Sequence, residues 1–311
     1  VSLGFFAALS LLLGAVGLPF SIYRTFRVEK EFGFNTTSVT TFVTDKIKGA
    51  ILGAVIGGLL LSAIIELYFW LGSAFWLAAW ATMAVFSLVM FAFGTSVILP
   101  LFNKLEPLPE GELRTALVSY CQSQGYEVGR LFVMDGSKRS TKANAFFAGF
   151  GKAKTIVLFD TLIEKLSVEE VVAVLAHEVG HYRRKHTFQM LALNLAQTLA
   201  ITGLLGIALN FPELSLALGG QSASFHLAAV SFAMLFTPVS MLVDYGVNAL
   251  SRRNEFDADQ FSTSTYPGGA LRSGLMKISV DSLATLNPHP AYVRAHYTHP
   301  PVIARLDALS D

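Results

Sequence analysis

Charged residues are missing from long stretches of this chain, and those stretches predict its main elements. Val1–Tyr23 carries no charge and closes on Pro19, just ahead of Arg24. Between Gly49 and Lys104 the one charge is Glu66. That is too much apolar chain for one crossing, because a bilayer core about 30 Å thick takes about 20 helical residues. The natural break is Leu71-Gly72-Ser73, which gives helices over about 49–71 and 74–99, the second stopped by Pro100. Thr187–Phe211 and Ser215–Val243 are charge-free again, with Pro212 and Gly219-Gly220 at their junction. Five spans are therefore predicted, two pairs of them joined by tight turns. Glu66, Gln189, Asn194 and Gln197 lie in or at the ends of spans, where polar groups face a bundle interior or water. Elsewhere the short apolar runs Leu131–Asp135, Ala145–Phe150 and Thr155–Asp160, broken by Gly136, Gly151 and Lys154, predict a small sheet.

Composition supports the membrane reading. The chain is 53% hydrophobic and 14% charged, against about 25% charged in soluble domains, which excludes disorder. A net charge of +1 leaves no basic excess to neutralise phosphates, so a nucleic-acid partner is excluded. The single cysteine, Cys121, rules out an internal disulfide framework and reads as a small buried hydrophobe. If the spans alternate, all 23 Lys and Arg fall in the loops 24–48, 100–186 and 244–311. The positive-inside rule then places those loops in the cytoplasm. The predicted organisation is a membrane part over 1–103 (helices about 1–22, 49–71 and 74–99, cytoplasmic loop 24–48) and a cytoplasmic part over 104–186. A membrane hairpin over 187–243 and the C-terminal piece of the cytoplasmic part over 244–311 complete it. The start shows no signal-peptide pattern, and since it begins inside an apolar run, an N-terminal piece is expected to precede it.

The chemistry is concentrated in Ser167-Val-Glu-Glu-Val-Val-Ala-Val-Leu-Ala-His177-Glu178-Val-Gly-His181. Ser167 with Glu170 is a capping box, and the apolar positions keep helical spacing. His177 and His181, at i and i+4, then share one face and can bind one zinc ion, with Glu178 beside the open position. A third ligand is needed, and two candidates present themselves. His186, on a continuing helix, turns about 500° past His181 and off the metal face. Glu255, directly after the last span, is the better fit, with Asp259 one turn on to receive a hydrogen bond from a ligand imidazole. Against these readings stand two plain ones: a pair of surface histidines, and a solvated charge cluster of Glu255 and Asp259 with Arg252 and Arg253.

These residues carry a resemblance. His177-Glu178-x-x-His181 together with Ser251-Arg-Arg-x-Glu255-Phe-x-Ala-Asp259 resembles the type I CAAX prenyl endopeptidases, membrane zinc metalloproteases. Further blocks match from about residue 18 to 306. They are Leu18-Pro-Phe-Ser-Ile-Tyr-Arg-Thr-Phe with Glu31-Phe-Gly-Phe-Asn35, Pro107-Leu-Pro-Glu-Gly-Glu-Leu, Gly136-Ser-Lys-Arg-Ser with Asn144-Ala-Phe-Phe-x-Gly, Ile156-Val-Leu-Phe-Asp-Thr-Leu162, and His296-Tyr-Thr-His299-Pro-Pro-x-Ile-x-Arg305-Leu. The resemblance implies a mainly α fold, a polytopic transmembrane helical bundle enclosing a chamber. A zinc metalloprotease domain of helices and a small β-sheet completes it. The family has seven spans, so two N-terminal ones are expected to be absent here. Departures are Tyr182 where the family usually has Trp, and Phe146 and Ala148 where it usually has Tyr. The short segment between Leu162 and Ser167 suggests a prokaryotic-type member.

The implied site holds one zinc per chain on His177, His181 and Glu255, with Asp259 orienting a ligand histidine. Glu178 is the expected general base, and Asn144, His299 and Arg305 are expected near the cleft for substrate and transition-state contacts. His296 receives no direct role. The implied activity is hydrolysis of a peptide or protein near its C-terminus, the substrate being prenylated or otherwise amphipathic. The partners are that substrate and the lipid bilayer. The expected location is a multi-pass membrane protein (bacterial inner membrane, or endoplasmic reticulum in a eukaryote) with the site on the cytoplasmic side. Two other readings stand beside it, a heat-shock quality-control membrane protease of the HtpX type and a non-enzymatic membrane scaffold.

Overall fold

The computed structural model describes residues 1–125, 130–148 and 155–309. The predicted strand Ala145–Phe150 is described as far as Ala148, and the breaks at Gly151 and Lys154 lie outside the described residues. The chain forms two compact units, Val1–Met90 with Met190–Ser240, and Phe91–Gln189 with Met241–Asp311.

Four helical stretches are long and apolar enough to cross a membrane: Ser2–Glu31, Val39–Val97, His186–Ala208 and Phe225–Thr265. The second has 59 residues, about 90 Å if it ran straight at about 1.5 Å per residue. It does not run straight. A 3-10 turn at Gly72–Ala74 breaks it into Val39–Leu71 and Phe75–Val97, with Gly72 at φ 53, a left-handed value glycine adopts without a Cβ clash. The first of these begins well ahead of the charge-free run because Ser38 caps it, its Oγ accepting the Thr41 amide at 3.1 Å. The last helix likewise runs on through the charged segment to Thr265, 41 residues in all. It starts at Phe225 rather than 215, since Ser215–Gly220 is taken up by a short helix and a turn with Gly219 at φ 82.

In the first unit the helices expose what a soluble protein would hide. Ser2–Tyr23 buries no residue, and Leu11 and Phe20 are 75% and 72% exposed, as a lipid-facing surface requires. Helix contacts instead use aromatic rings and small residues. The Tyr68 ring lies 5.3 Å from Phe75 and 5.2 Å from Phe225. Trp76 packs so closely on Gly206 that a Cβ there would meet its Cβ at 2.9 Å.

The second unit is built on a four-stranded mixed sheet, β1 Leu105–Pro107, β2 Arg130–Met134, β3 Ala145–Ala148 and β4 Thr155–Phe159, in the order β1-β2-β4-β3. β2 and β4 are parallel, Leu131 opposite Ile156, and the outer strands pair antiparallel. Leu131, Ile156 and Leu158 of the sheet meet Leu117 and Cys121 of one helix and Val171, Val172, Leu175 and Val179 of the motif helix in one core. Each such side chain contributes about 1.5–3 kcal/mol by leaving water, and this core fixes the motif helix. Cys121 is 1% exposed.

Candidate metal centre

The motif helix is Val168–Arg183, and its capping box is formed on both sides, by Ser167 and Glu170. Its apolar face is buried in the core, which leaves His177, Glu178 and His181 toward the long helix Phe225–Thr265. That helix approaches closely at Gly180, where a Cβ would stand 3.1 Å from both Cα and O of Ala258. Ala258, Asp259 and Ser262 are buried, and Ser262 Oγ donates to the Ala173 carbonyl at 2.9 Å. Glycine and alanine at the crossing bring Glu255, one turn before Asp259, within reach of the histidines.

The ligand atoms of His177, His181 and Glu255 all lie within 4.8 Å of one another. The two Nε2 atoms are 3.1 Å apart, His177 Nε2 is 3.5 Å from Glu255 Oε2, and His181 Nε2 is 3.3 Å from Glu255 Oε1. Ligands about 2.0–2.2 Å from a tetrahedral ion stand roughly 3.3–3.6 Å apart, so the triangle has the right size for zinc. The proton inventory agrees. His177 Nδ1 faces Asp259 Oδ1 at 2.8 Å, which assigns its proton there and leaves Nε2 a bare lone pair. His181 Nδ1 faces His186 Nδ1 at 3.1 Å, an arrangement that allows the same tautomer. With both protons on Nδ1, the two Nε2 lone pairs face each other and repel unless a cation lies between them. Glu255 Oε2 is also buried and accepts no well-aligned hydrogen bond, although His299 Nδ1 and Arg305 Nη1 stand 2.9 and 3.4 Å away. A buried carboxylate oxygen without a well-aligned hydrogen bond, beside two imidazole nitrogens at ligand spacing, fits a metal ion.

Around this triangle lies a second ring of contacts. Arg305 grips Asp259 with two parallel bonds, Nε to Oδ2 at 2.8 Å and Nη2 to Oδ1 at 2.6 Å. Its guanidinium is thus committed to positioning Asp259 and, through it, His177. His299 sits at Glu255, with 66% of its side chain exposed, and the carboxylate beside it holds the imidazole above its usual pKa. Burial pushes the Glu178 carboxyl up from its ordinary value, and the nearby imidazoles pull it only partly back. His296 packs on the Tyr292 ring, centroids 4.6 Å apart. Asn144 makes no hydrogen bond to the cluster among the described residues. It immediately precedes the edge strand β3 and is exposed; its Oδ1 accepts the Ala145 amide at 2.9 Å and its carbonyl accepts the Phe159 amide at 3.1 Å.

Two supports were not legible in the spacing. His186 does lie off the metal face, but it is not on a continuing helix. The chain turns at Lys185, φ 60, and a new helix starts at His186, which brings that buried ring behind His181. Asp257 completes the series, Oδ2 3.9 Å from His186 Nε2. The three consecutive cations Arg183-Arg184-Lys185, a favourable helix C-terminus, were the available signal. Arg252 is likewise more than a surface charge: its Nη1 donates to the carbonyls of Val293 and Tyr297 at 3.0 and 2.6 Å, tying down the segment that leads to His299.

Known proteins decide the family. Residues 1–104 match the family described as CAAX prenyl protease N-terminal, five membrane helices, and residues 107–311 match peptidase family M48. The chain belongs to the CAAX prenyl protease family. The CAAX prenyl protease 1 homolog of Oryza sativa is 37% identical over 312 residues, covering 100% of this chain and 73% of that protein. The human homolog is 31% identical, covering 99% and 73%. A crystal structure of Ste24p from S. mikatae superposes with a TM-score of 0.95 at 31% identity, over 100% of this chain and 76% of that one. The chain is therefore a multi-pass membrane metalloprotease of mainly α fold with a small mixed sheet. Neither the heat-shock nor the scaffold reading is favoured by these relatives.

Proposed function

We propose that the protein is a zinc metalloendopeptidase that binds one zinc per chain on His177, His181 and Glu255 and cuts prenylated or otherwise amphipathic peptides near their C-terminus. The observation that carries this reading is the convergence of the two Nε2 atoms, 3.1 Å apart, and the buried Glu255 carboxylate, with all the ligand atoms within 4.8 Å of one another. Zinc there supplies Lewis acidity that lowers the pKa of water toward about 7 and polarises the scissile carbonyl. Glu178, next to His177 on the motif helix, takes the proton from the attacking water and passes it to the leaving amine. His299, exposed and with its pKa raised by the Glu255 carboxylate beside it, is the donor for the oxyanion. Arg305 and Asp259 hold His177 in its tautomer. β3 is an edge strand, so its backbone offers a peptide antiparallel or parallel pairing along the site, and Asn144 at its start is placed to bond the bound chain.

The relatives' printed name supports the prenyl specificity, and the one-sided distribution of Lys and Arg supports a cytoplasmic site. The division into a membrane part over 1–103, a catalytic part over 104–186 and 244–311, and a hairpin over 187–243 belongs to the same proposal. The test is cleavage of a prenylated peptide and its unprenylated twin in detergent, with zinc measured on the same preparation. Cleavage of the prenylated peptide by zinc-loaded protein supports the reading, and equal rates on both peptides would remove the prenyl specificity. For sidedness, a cysteine introduced at Lys104, whose side chain is 73% exposed, should resist an impermeant thiol reagent applied to intact cells.

A further inference from the structure

The turn at Lys185 that places His186 also shapes a cavity of about 540 Å³. Arg184, Lys185 and Arg253 line it, with Asp257 as the only carboxylate among its lining residues and Phe188 and Leu250 as apolar wall. The three cations make no ion pair among the described residues, and Asp257 has His186 as its ion-pair contact, at 3.9 Å. Clustered unpaired cations repel one another, so the arrangement stores a demand for an anion.

Its place identifies the anion. Arg184 and Lys185 immediately precede His186–Ala208, a helix long and apolar enough to cross the membrane. Arg253 follows the apolar part of Phe225–Thr265. The cavity thus lies at the ends of two helices long and apolar enough to span a membrane, which is where lipid headgroups would stand. Basic pockets between helices on the cytoplasmic side are the recognised form of headgroup binding. Lys185 adds an independent sign. It holds φ 60, a backbone conformation in which glycine is unstrained and lysine is not. The chain keeps a lysine where the turn alone would favour glycine.

We propose that this cavity binds the phosphate of an anionic phospholipid headgroup, with Arg184, Lys185 and Arg253 on the phosphate and Phe188 and Leu250 against the start of the acyl chains. A free phosphate ion shares the chemistry but has no use for the apolar wall. An acidic peptide has no reason to lie at the span ends.

The test uses the whole protein in nanodiscs of phosphatidylcholine with a minor share of phosphatidylglycerol, reading bound lipid by native mass spectrometry. Phosphatidylglycerol should be retained over phosphatidylcholine. Each cation near a membrane surface contributes about fivefold in affinity, so Arg184→Gln with Arg253→Gln should lose about 30-fold. Lys185→Gly should lose about fivefold with thermal stability unchanged or raised, which guards against a variant that merely misfolds. Unchanged retention in these variants would overturn the site. So would an equal loss from Lys30→Gln with Lys46→Gln, which would reduce the effect to general surface charge. Displacement of the lipid by millimolar inorganic phosphate, or by a soluble acidic peptide, would overturn the assignment to a lipid.

Discussion

His177 and His181 face one point from one helix, yet they are held by unlike means. His177 is 9% exposed and bonds Asp259 at 2.8 Å, and Asp259 is itself clamped by two bonds from Arg305. His181 is 21% exposed, leans on the neutral ring of His186 at 3.1 Å, and the carboxylate behind that ring is 42% exposed and 3.9 Å off. The difference follows from the elements. Asp259 arrives on a helix pressed against the motif helix at Gly180, whereas His186 arrives after a turn at the end of the same chain segment. A carboxylate partner also raises the basicity of the imidazole it holds. One side of the centre is built as a fixed support, the other as an adjustable one.

The largest effects should come from the groups both sides serve. Glu178→Gln should lower kcat by about 10²–10⁴, the usual worth of a general base, with zinc stoichiometry unchanged. Glu255→Ala should lose metal and activity together. Zinc analysis beside turnover separates the two, and a zinc-replete Glu178→Gln enzyme of normal rate would remove Glu178 from the chemistry.

Next in size is the fixed support. Asp259→Asn should weaken zinc about 10–100-fold, as loss of a carboxylate behind a ligand imidazole does, and competition with a graded series of chelators would measure it. Arg305→Gln should act in the same direction through Asp259. A catalytic loss in Arg305→Gln with zinc affinity intact would instead make Arg305 a substrate contact, as the family resemblance implies.

How much of this was legible in the sequence depends on whether the signal was local. Charge-free length marked the spans and the Gly72 break, and helical period put His177 and His181 on one face with Glu178 beside them. The capping box marked where that helix starts. Glu255 was reachable because Asp259 follows it by one turn. What was missed depends on backbone geometry with no strong residue signature. A non-glycine residue at positive φ, Lys185, ended a helix that periodicity would have continued, so His186 was set aside as a ligand and not considered as a support. The close crossing at Gly180 and Ala258 looks like any small-residue pair until two helices are seen to meet there. Asn144 shows the opposite limit. The family match names it, while its own bonds are to Ala145 and, through its carbonyl, to the Phe159 amide of β4.

The adjustable support should matter less. His186→Ala should weaken zinc by about tenfold or less, the low end for a group behind a ligand, and less than Asp259→Asn in the same titration. Equal losses in the two variants would erase the contrast between the supports.

The smallest effect on the metal should come from a buried carboxylate of the same helix outside the centre. Glu170 accepts from the Ser167 amide at 2.8 Å, Ser273 Oγ at 2.6 Å and Lys277 Nζ at 2.8 Å, joining the start of the motif helix to the helix Gly268–Asp281. Burial alone would raise its pKa, but the bonds from Lys277, Ser273 and Ser167 outweigh burial and hold it below the ordinary carboxylate value. A carboxyl depressed in the folded state stabilises the protein above its unfolded pKa, and that contribution is lost as pH falls through the depressed value. Glu170→Gln should therefore lower stability at pH 7 by about 1–3 kcal/mol, the scale of hydrogen bonds to a charged group, with zinc affinity and kcat of the folded enzyme unchanged. The gap in Tm between variant and parent should narrow as pH drops below about 4, the ordinary Glu range, because the parent carboxyl then becomes neutral as well. A gap constant across that range would mean that shape and capping, not charge, fix Glu170. A loss of zinc in the variant would mean that the helix start and the metal centre are coupled along the motif helix, and the two supports could then no longer be treated as independent.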